Sequence, residues 1–443
     1  MADTKISAFT AASALGGTEL LGGVQGGANR KITIDQIKTY CRTRSDASVG
    51  YGERVNIRSG MCYSAHPVWT AAGTWYAFIL SNGTSDLYFA KTTDYGVTWN
   101  INATAIKAGT IIGLAVWFDK WTPGDSGTLI HLAYVDSDSD DVFYRQLETT
   151  TDTLGTEISV FAGASASTTN SSLSITKSKA GRILIAYDIN GASTETGFYK
   201  SDDFPVTAFT VKSQTAFHEA ASTDYYQLFP ANLADTNDIW ALFLDRSANE
   251  ITLKTYDDSG DSWSAIAESA AIMTCTEVAA TTALPQMAGA VRSSDGNLIL
   301  AAWDSMDTAG ALLRVFDITN ASTITEKTKV IDDGATNAND DQALVAVGLD
   351  SVNGTIYVFY CGVIAGTSTA YTSLPVYYKT STDGGTTWSS AATADGTLLS
   401  SAARSIHYLF CSQEFASGDF VVMWGGAEEP GATELSMRFS AYR

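Results

Sequence analysis

An all-β fold made of one unit repeated seven times is what this 443-residue sequence predicts. Three observations carry the prediction. A strongly apolar, β-branched and aromatic stretch recurs seven times: TWYAFIL from Thr74, TLIHLAYVD from Thr128, RILIAYD from Arg182, DIWALFLD from Asp238, NLILAAWD from Asn297, TIYVFYC from Thr355 and DFVVMWG from Asp419. Successive starts lie 54, 54, 56, 59, 58 and 64 residues apart. Each stretch follows, across a turn, a second apolar run, such as IIGLAVWFD or QALVAVGLD. The third observation is a turn motif that closes some of the units, S/T-x-D-x-G-x-x-W. A steady period with three or four short strands per unit predicts a seven-bladed β-propeller over residues 49–443, preceded by a short segment, 1–48.

The first 48 residues differ from the rest. They are rich in Ala, Gly, Thr and Ser, with apolar residues too sparse for a core of their own. Thr33 and Gln36 are spaced as a capping box, and Ile34, Ile37 and Cys41 share one face of a short predicted helix. The segment is read as a docking element, with a disordered tail as the alternative.

From residue 50 the repeats run in order. The first strands are MCYSAHPVW, IIGLAVWFD, SSLSITKSK, YYQLFPANL, PQMAGAVRS, QALVAVGLD and SIHYLFCSQ. A fourth strand follows in most units, as in ITEKTKVID, but the last repeat reaches only a third, ELSMRFSAYR. Its outer strand is expected from residues 51–57, which would close the ring and remove a free edge.

The turn motif occupies Ser381, Asp383, Gly385 and Trp388. It recurs as Thr92, Asp94, Gly96 and Trp99, and as Asp258, Gly260 and Trp263, with Tyr256 where a hydroxyl residue is usual. Glycine reaches φ > 0 without steric cost, aspartate accepts N–H groups within the turn, and tryptophan covers it. The motif resembles the Asp-box of sialidase-like β-propellers, which implies structural turns on the face opposite a central pocket.

That resemblance raises the question of catalysis. Sialidase chemistry, as the family implies it, needs three arginines, a tyrosine nucleophile with a glutamate, and an aspartate acid at the axis. The arginine motif expected near the N-terminus is absent, residues 57–59 being its nearest approach, while Arg292 and Arg404 stand at first strands without a third partner. No catalytic residue is assigned. A sialidase-like glycoside hydrolase is the runner-up reading. Asp136, Asp188, Asp245 and Asp304 each end a second strand, and a feature with the repeat period caps turns rather than building an asymmetric site.

Composition narrows the partners. A net charge of −21 opposes binding to nucleic acid or an anionic membrane. No apolar run approaches the ~20 residues of a membrane span, and the N-terminus does not read as a signal peptide. Five cysteines without C-x-x-C spacing and four dispersed histidines predict buried side chains, with no metal and no cofactor. The acidic run 136–141 reads as a solvated turn, with a calcium loop as the alternative.

A second resemblance concerns the start of the chain. Lys5-Ile6-Ser7, Thr18 to Leu21, Val24 to Gly27 and Lys31 to Thr33, closed by Gln36-Ile37, resemble an N-terminal module of tailed-bacteriophage structural proteins. The module implies attachment to other virion proteins, here through Leu20, Leu21, Val24, Ile32, Ile34 and Ile37, on a protein made in the host cytoplasm. The combined expectation is a virion appendage, a tail or head fibre. It would form homotrimers and meet a host glycan or receptor through the variable loops 137–141, 189–197, 362–375 and 425–434, with a purely structural decoration protein as the alternative.

Overall fold

The computed structural model describes residues 20–25, 28–33, 62–81, 86–96, 98–139, 141–163, 171–189, 196–214, 217, 225–245, 248–264, 272–276, 286–305, 312–320, 323–332, 344–361, 376–393, 405–427 and 435–442; for 20–25, 28–33, 62–65, 80–81, 171, 188–189, 196, 320, 361, 392–393, 405–408, 424–427 and 435–442 the description is of the backbone. The chain divides into two units, Met1–Val49 and Gly50–Tyr442.

In the first unit Leu20–Gln25 pairs antiparallel with Ala28–Thr33, Leu21 facing Ile32 and Val24 facing Asn29. Leu20, Leu21, Val24 and Ile32 are therefore strand residues. Ile34, Ile37 and the predicted short helix lie outside the described residues.

Among the described residues of the second unit, apart from a three-residue 3-10 turn at Asp119–Trp121, every element is a strand. Sheet one runs Cys62–Ala71, Thr74–Ser81, Leu87–Thr92 and Asn100–Ile101 in simple antiparallel order. Sheet two, opening with Ile111–Phe118, and sheet three, opening with Ser171–Lys177, repeat the meander. So do sheets four, five and six, whose first strands are Tyr225–Pro230, Met287–Val291 and Leu344–Asp350. A final sheet holds three strands: Ser405–Cys411, Phe420–Ala427 and Leu435–Tyr442. The fold is thus an all-β propeller. Seven like repeats were expected; six sheets carry four or five strands, and the seventh repeat is three-stranded among the described residues. The predicted closing strand, 51–57, lies outside them.

The second strand of each repeat is strongly apolar because it sits between the first and third, with both faces against neighbouring sheets. All of Ile239–Asp245 and all of Leu298–Ser305 are buried. Each such Leu, Ile or Phe contributes about 1.5–3 kcal/mol on burial.

The first strands of the seven sheets touch in cyclic order, and Ser405–Cys411 contacts both Leu344–Asp350 and Cys62–Ala71. Polar clamps reinforce the join. Asp419 Oδ2 accepts Trp69 Nε1 at 3.1 Å and Gly73 N at 2.9 Å, while the Asp350 carboxylate takes Ser417 N at 3.0 Å and Gly418 N at 2.7 Å. The first strands therefore surround an axis.

Candidate functional site

Two kinds of site arise from this frame, the recurrent turns between third and fourth strands and the axis itself. In sheet one Thr92 Oγ1 accepts Gly96 N at 3.0 Å and donates to Asp94 Oδ1 at 2.8 Å; Asp94 also accepts Thr98 N at 2.9 Å and Thr98 Oγ1 at 2.7 Å. Sheet six reproduces this bond for bond. Ser381 Oγ accepts Gly385 N and donates to Asp383, both at 2.8 Å, and Asp383 accepts Thr387 N at 2.8 Å and Thr387 Oγ1 at 2.7 Å. Tyr95 and Gly96 have φ of 62° and 78°, Gly384 and Gly385 of 68° and 89°. The bonds from Thr387 and Ser381 hold the Asp383 carboxyl at about 2. Asp94 is also lowered, against a burial that pushes it up.

Sheet four departs from the pattern. With Tyr256 in place of the hydroxyl residue, it is Asp257 that accepts Gly260 N, at 3.1 Å, and Ser259 Oγ, at 2.7 Å. Asp258 leaves the turn, and both its oxygens meet Lys200 Nζ of sheet three at 2.5 Å. Positive φ falls on Asp261, at 42°, and not on Gly260. The expectation that Asp258 and Gly260 repeat the roles of Asp94 and Gly96 is therefore corrected. Trp263 keeps its role: its Nε1 donates to Ser213 O of sheet three at 3.1 Å, as Trp388 Nε1 does to Thr328 O of sheet five at 2.7 Å.

A fourth turn of this kind escaped the sequence reading. Asp202, directly after Ser201, accepts Thr207 N at 2.9 Å and is also bonded by Thr207 Oγ1. Ser201 and Thr207 are six apart, like Thr92 and Thr98, but the carboxylate stands one residue earlier and glycine and tryptophan are missing. The hydroxyl-to-threonine spacing was the available signal.

The carboxylates ending the second strands serve separate local networks. Asp136 Oδ1 accepts Asp138 N at 3.0 Å, Asp245 Oδ1 accepts Ala248 N at 3.0 Å, and Asp304 Oδ1 accepts Thr276 N at 2.8 Å while Oδ2 pairs with Arg314 at 3.0 Å. The Asp188 side chain lies outside the described set. No group of three or more His, Cys, Asp or Glu able to hold a metal occurs among the described residues.

A buried cluster between sheets two and three was also not foreseen. Asp119 Oδ1 contacts His131 Nε2 at 2.8 Å and Lys177 Nζ, whose other partner is Asp125 at 2.7 Å. Tyr144 OH lies 2.7 Å from His131 Nδ1. Burial raises the Asp119 carboxyl, but His131 and Lys177 prevail and bring it to about 2. Burial lowers the His131 imidazole. These residues sit in the wall and join two sheets.

The axis encloses a cavity of about 130 Å³. Its lining comes from the first strand of every sheet: His66, Leu114, Val116, Leu173, Ile175, Tyr225, Gln227, Phe229, Gly289, Val345, Val347, Leu409 and Cys411, with Trp121 and Gln413 just beyond two strand ends. No arginine, lysine, aspartate or glutamate is among the lining residues described. Arg292 is engaged elsewhere, by Asp295 at 2.8 Å and Asp317 at 3.4 Å, and Arg404 and residues 57–59 lie outside the described set. Burial holds the His66 imidazole at about 4 against a hydrogen bond that its ring donates to the Leu114 backbone. It also drives the Cys411 thiol up, and that of Cys275 to about 12, so neither is a nucleophile at neutral pH.

No protein-family model matches the chain, and no curated protein does. Among solved structures it is similar to a Trypanosoma rangeli sialidase, at 10% identity and a TM-score of 0.41 over 96% of this chain and 58% of that one. It is similar to a GH74 xyloglucanase from Xanthomonas campestris, at 14% identity and a TM-score of 0.44 over 88% of this chain and 55% of the other. A third is the β-propeller domain of the Trilobed protease from Pyrococcus furiosus, at 9% identity and a TM-score of 0.40 over 86% and 94%. This chain thus spans less than two thirds of the sialidase and of the xyloglucanase. No helix among the described residues is long and apolar enough to cross a membrane.

Proposed function

We propose that the protein is a non-catalytic binding propeller, carried on a bacteriophage particle by its N-terminal segment and presented to a host-surface glycan or receptor. The observation that carries the binding half is the uncharged axial lining. Sialidase chemistry needs arginines for the substrate carboxylate, and ordinary glycoside hydrolysis needs two carboxylates facing one bond. Neither set is among the cavity residues described. The virion half rests on the resemblance of residues 5–37 to phage attachment modules.

The ring is read as seven blades. The three-stranded sheet is the seventh. Trimers are the oligomer expected of such an appendage.

Labelling purified particles with an antibody against residues 51–443, together with a saturation assay on host cells, tests the reading. Label at a fibre or tail tip with saturable adsorption is the expected result. Capsid label without adsorption favours a decoration protein, and unlabelled particles overturn the virion assignment.

A further inference from the structure

The axial cavity has a chemistry of its own. Its aromatic walls include His66, tilted against Phe410 with ring centroids 4.3 Å apart, and Tyr225. Its polar groups include amides, hydroxyls, the His66 imidazole and two indoles, of which that of Trp117 donates to Thr122 Oγ1 at 3.0 Å. Gln227 is held in place from both ends: its Oε1 accepts Gly289 N at 2.8 Å and its Nε2 donates to Tyr225 OH at 2.8 Å. That leaves the second Nε2 hydrogen uncommitted. Gly289 is required there, since a Cβ would stand 2.5 Å from Phe229 Cζ.

Two further polar groups border the cavity without a hydrogen-bond partner. Trp121, 3% exposed, has a donor in Nε1, and Gln413 has an acceptor in Oε1. Buried polar atoms left unpaired cost free energy, so these two lining residues each carry an atom that gains by pairing with a bound group. Seven lining residues, His66, Leu173, Tyr225, Gln227, Phe410, Cys411 and Gln413, retain part of their surface.

We infer that the axial cavity binds a neutral, polyhydroxylated ring, the terminal residue of a neutral glycan, and rejects acidic sugars. Hydroxyl groups donate and accept at once, matching an uncommitted amide hydrogen, an indole N–H and an amide oxygen. The C–H faces of such a ring pack on aromatic and aliphatic walls. A cavity of about 130 Å³ suits one six-membered ring, since an apolar cavity of ~150 Å³ holds benzene. A sugar carboxylate would be desolvated there without an opposite charge, which is strongly unfavourable. With the His66 imidazole at about 4, the cavity supplies no cation at neutral pH.

The inference rests on the binding reading above and sharpens it. The test is saturation-transfer NMR of the full chain with the methyl glycosides of glucose, galactose, mannose and N-acetylglucosamine, and with N-acetylneuraminic acid. At least one neutral glycoside is expected to give a saturable signal, with the acidic sugar at least tenfold weaker. Leu173→Trp, which fills the cavity, and Gln227→Met, which removes the amide, should each weaken the neutral signal at least tenfold. If Leu173→Trp does not fold, as read by its melting curve, Gln227→Met decides alone. Equal or stronger binding of the acidic sugar, survival of the neutral signal in Gln227→Met, or no neutral signal, meaning ordered water only, overturns the inference. Host-cell adsorption that persists in such a case leaves the broader binding role standing and moves it to the loops.

Discussion

The turns of sheets one and six and those of sheets three and four all join a third strand to a fourth, yet they are built differently. Where the third strand ends in a buried hydroxyl followed by Asp at the second position, that hydroxyl takes the glycine N–H and the carboxylate is left for the threonine four residues on. Where Tyr256 stands in place of the hydroxyl residue, the ring fills the space between sheets, packing on Phe198 at 4.7 Å and Trp263 at 5.3 Å. The carboxylate at the first position then takes the glycine N–H, and Asp258 is free to pair with Lys200. Whether a free hydroxyl stands at that position therefore bears on which carboxylate closes the turn. Sheet three shows that a hydroxyl alone is not enough: Ser201 is buried and has Asp203 at the second position, but its Oγ already accepts Ile183 N at 3.0 Å, and closure falls to Asp202.

The largest expected effect comes from forcing one turn toward the other. Tyr256→Thr restores the motif on paper, but it removes a fully buried aromatic side chain and should cost about 3–5 kcal/mol in urea unfolding. A gain in stability would mean that the motif outweighs the packing. Next come the hydroxyls. Thr92→Ala and Ser381→Ala each leave a buried glycine N–H without its acceptor, at about 1–3 kcal/mol, whereas Ser259→Ala in the variant turn should stay within about 0.5 kcal/mol.

A pH series separates the turns further. The Asp383 carboxyl, held at about 2 against an ordinary 3.8, adds stability that is fully present above 3.8 and is lost as pH falls toward 2. Asp383→Asn should flatten that acid limb. The smallest effect is expected for Thr387→Val, which removes only the exposed bond to Asp383 Oδ2 and should cost under about 1 kcal/mol.

The second strands were legible in the sequence because a strand buried on both faces reads as an unbroken apolar run, and each falls within about two residues of its predicted start. The turns were legible only where carboxylate, glycine and tryptophan all keep their spacing, so Ser201–Asp202–Thr207 was missed. The Asp119, His131, Tyr144 and Lys177 cluster joins residues 12 to 58 apart, and only strand pairing and sheet stacking bring them together. The cavity was hidden for the same reason, since each sheet adds a few residues to its lining and no stretch of sequence carries the pattern. Near the N-terminus, sparse apolar residues gave no strand signal, so the hairpin Leu20–Thr33 was not anticipated.

The most direct test of a propeller that binds without cutting is to incubate the purified chain with labelled sialylated and neutral glycans and follow them by mass spectrometry. Saturable retention with every glycan recovered intact is the predicted result. Progressive release of terminal sugar, abolished by substitutions among the axial residues, would contradict the account.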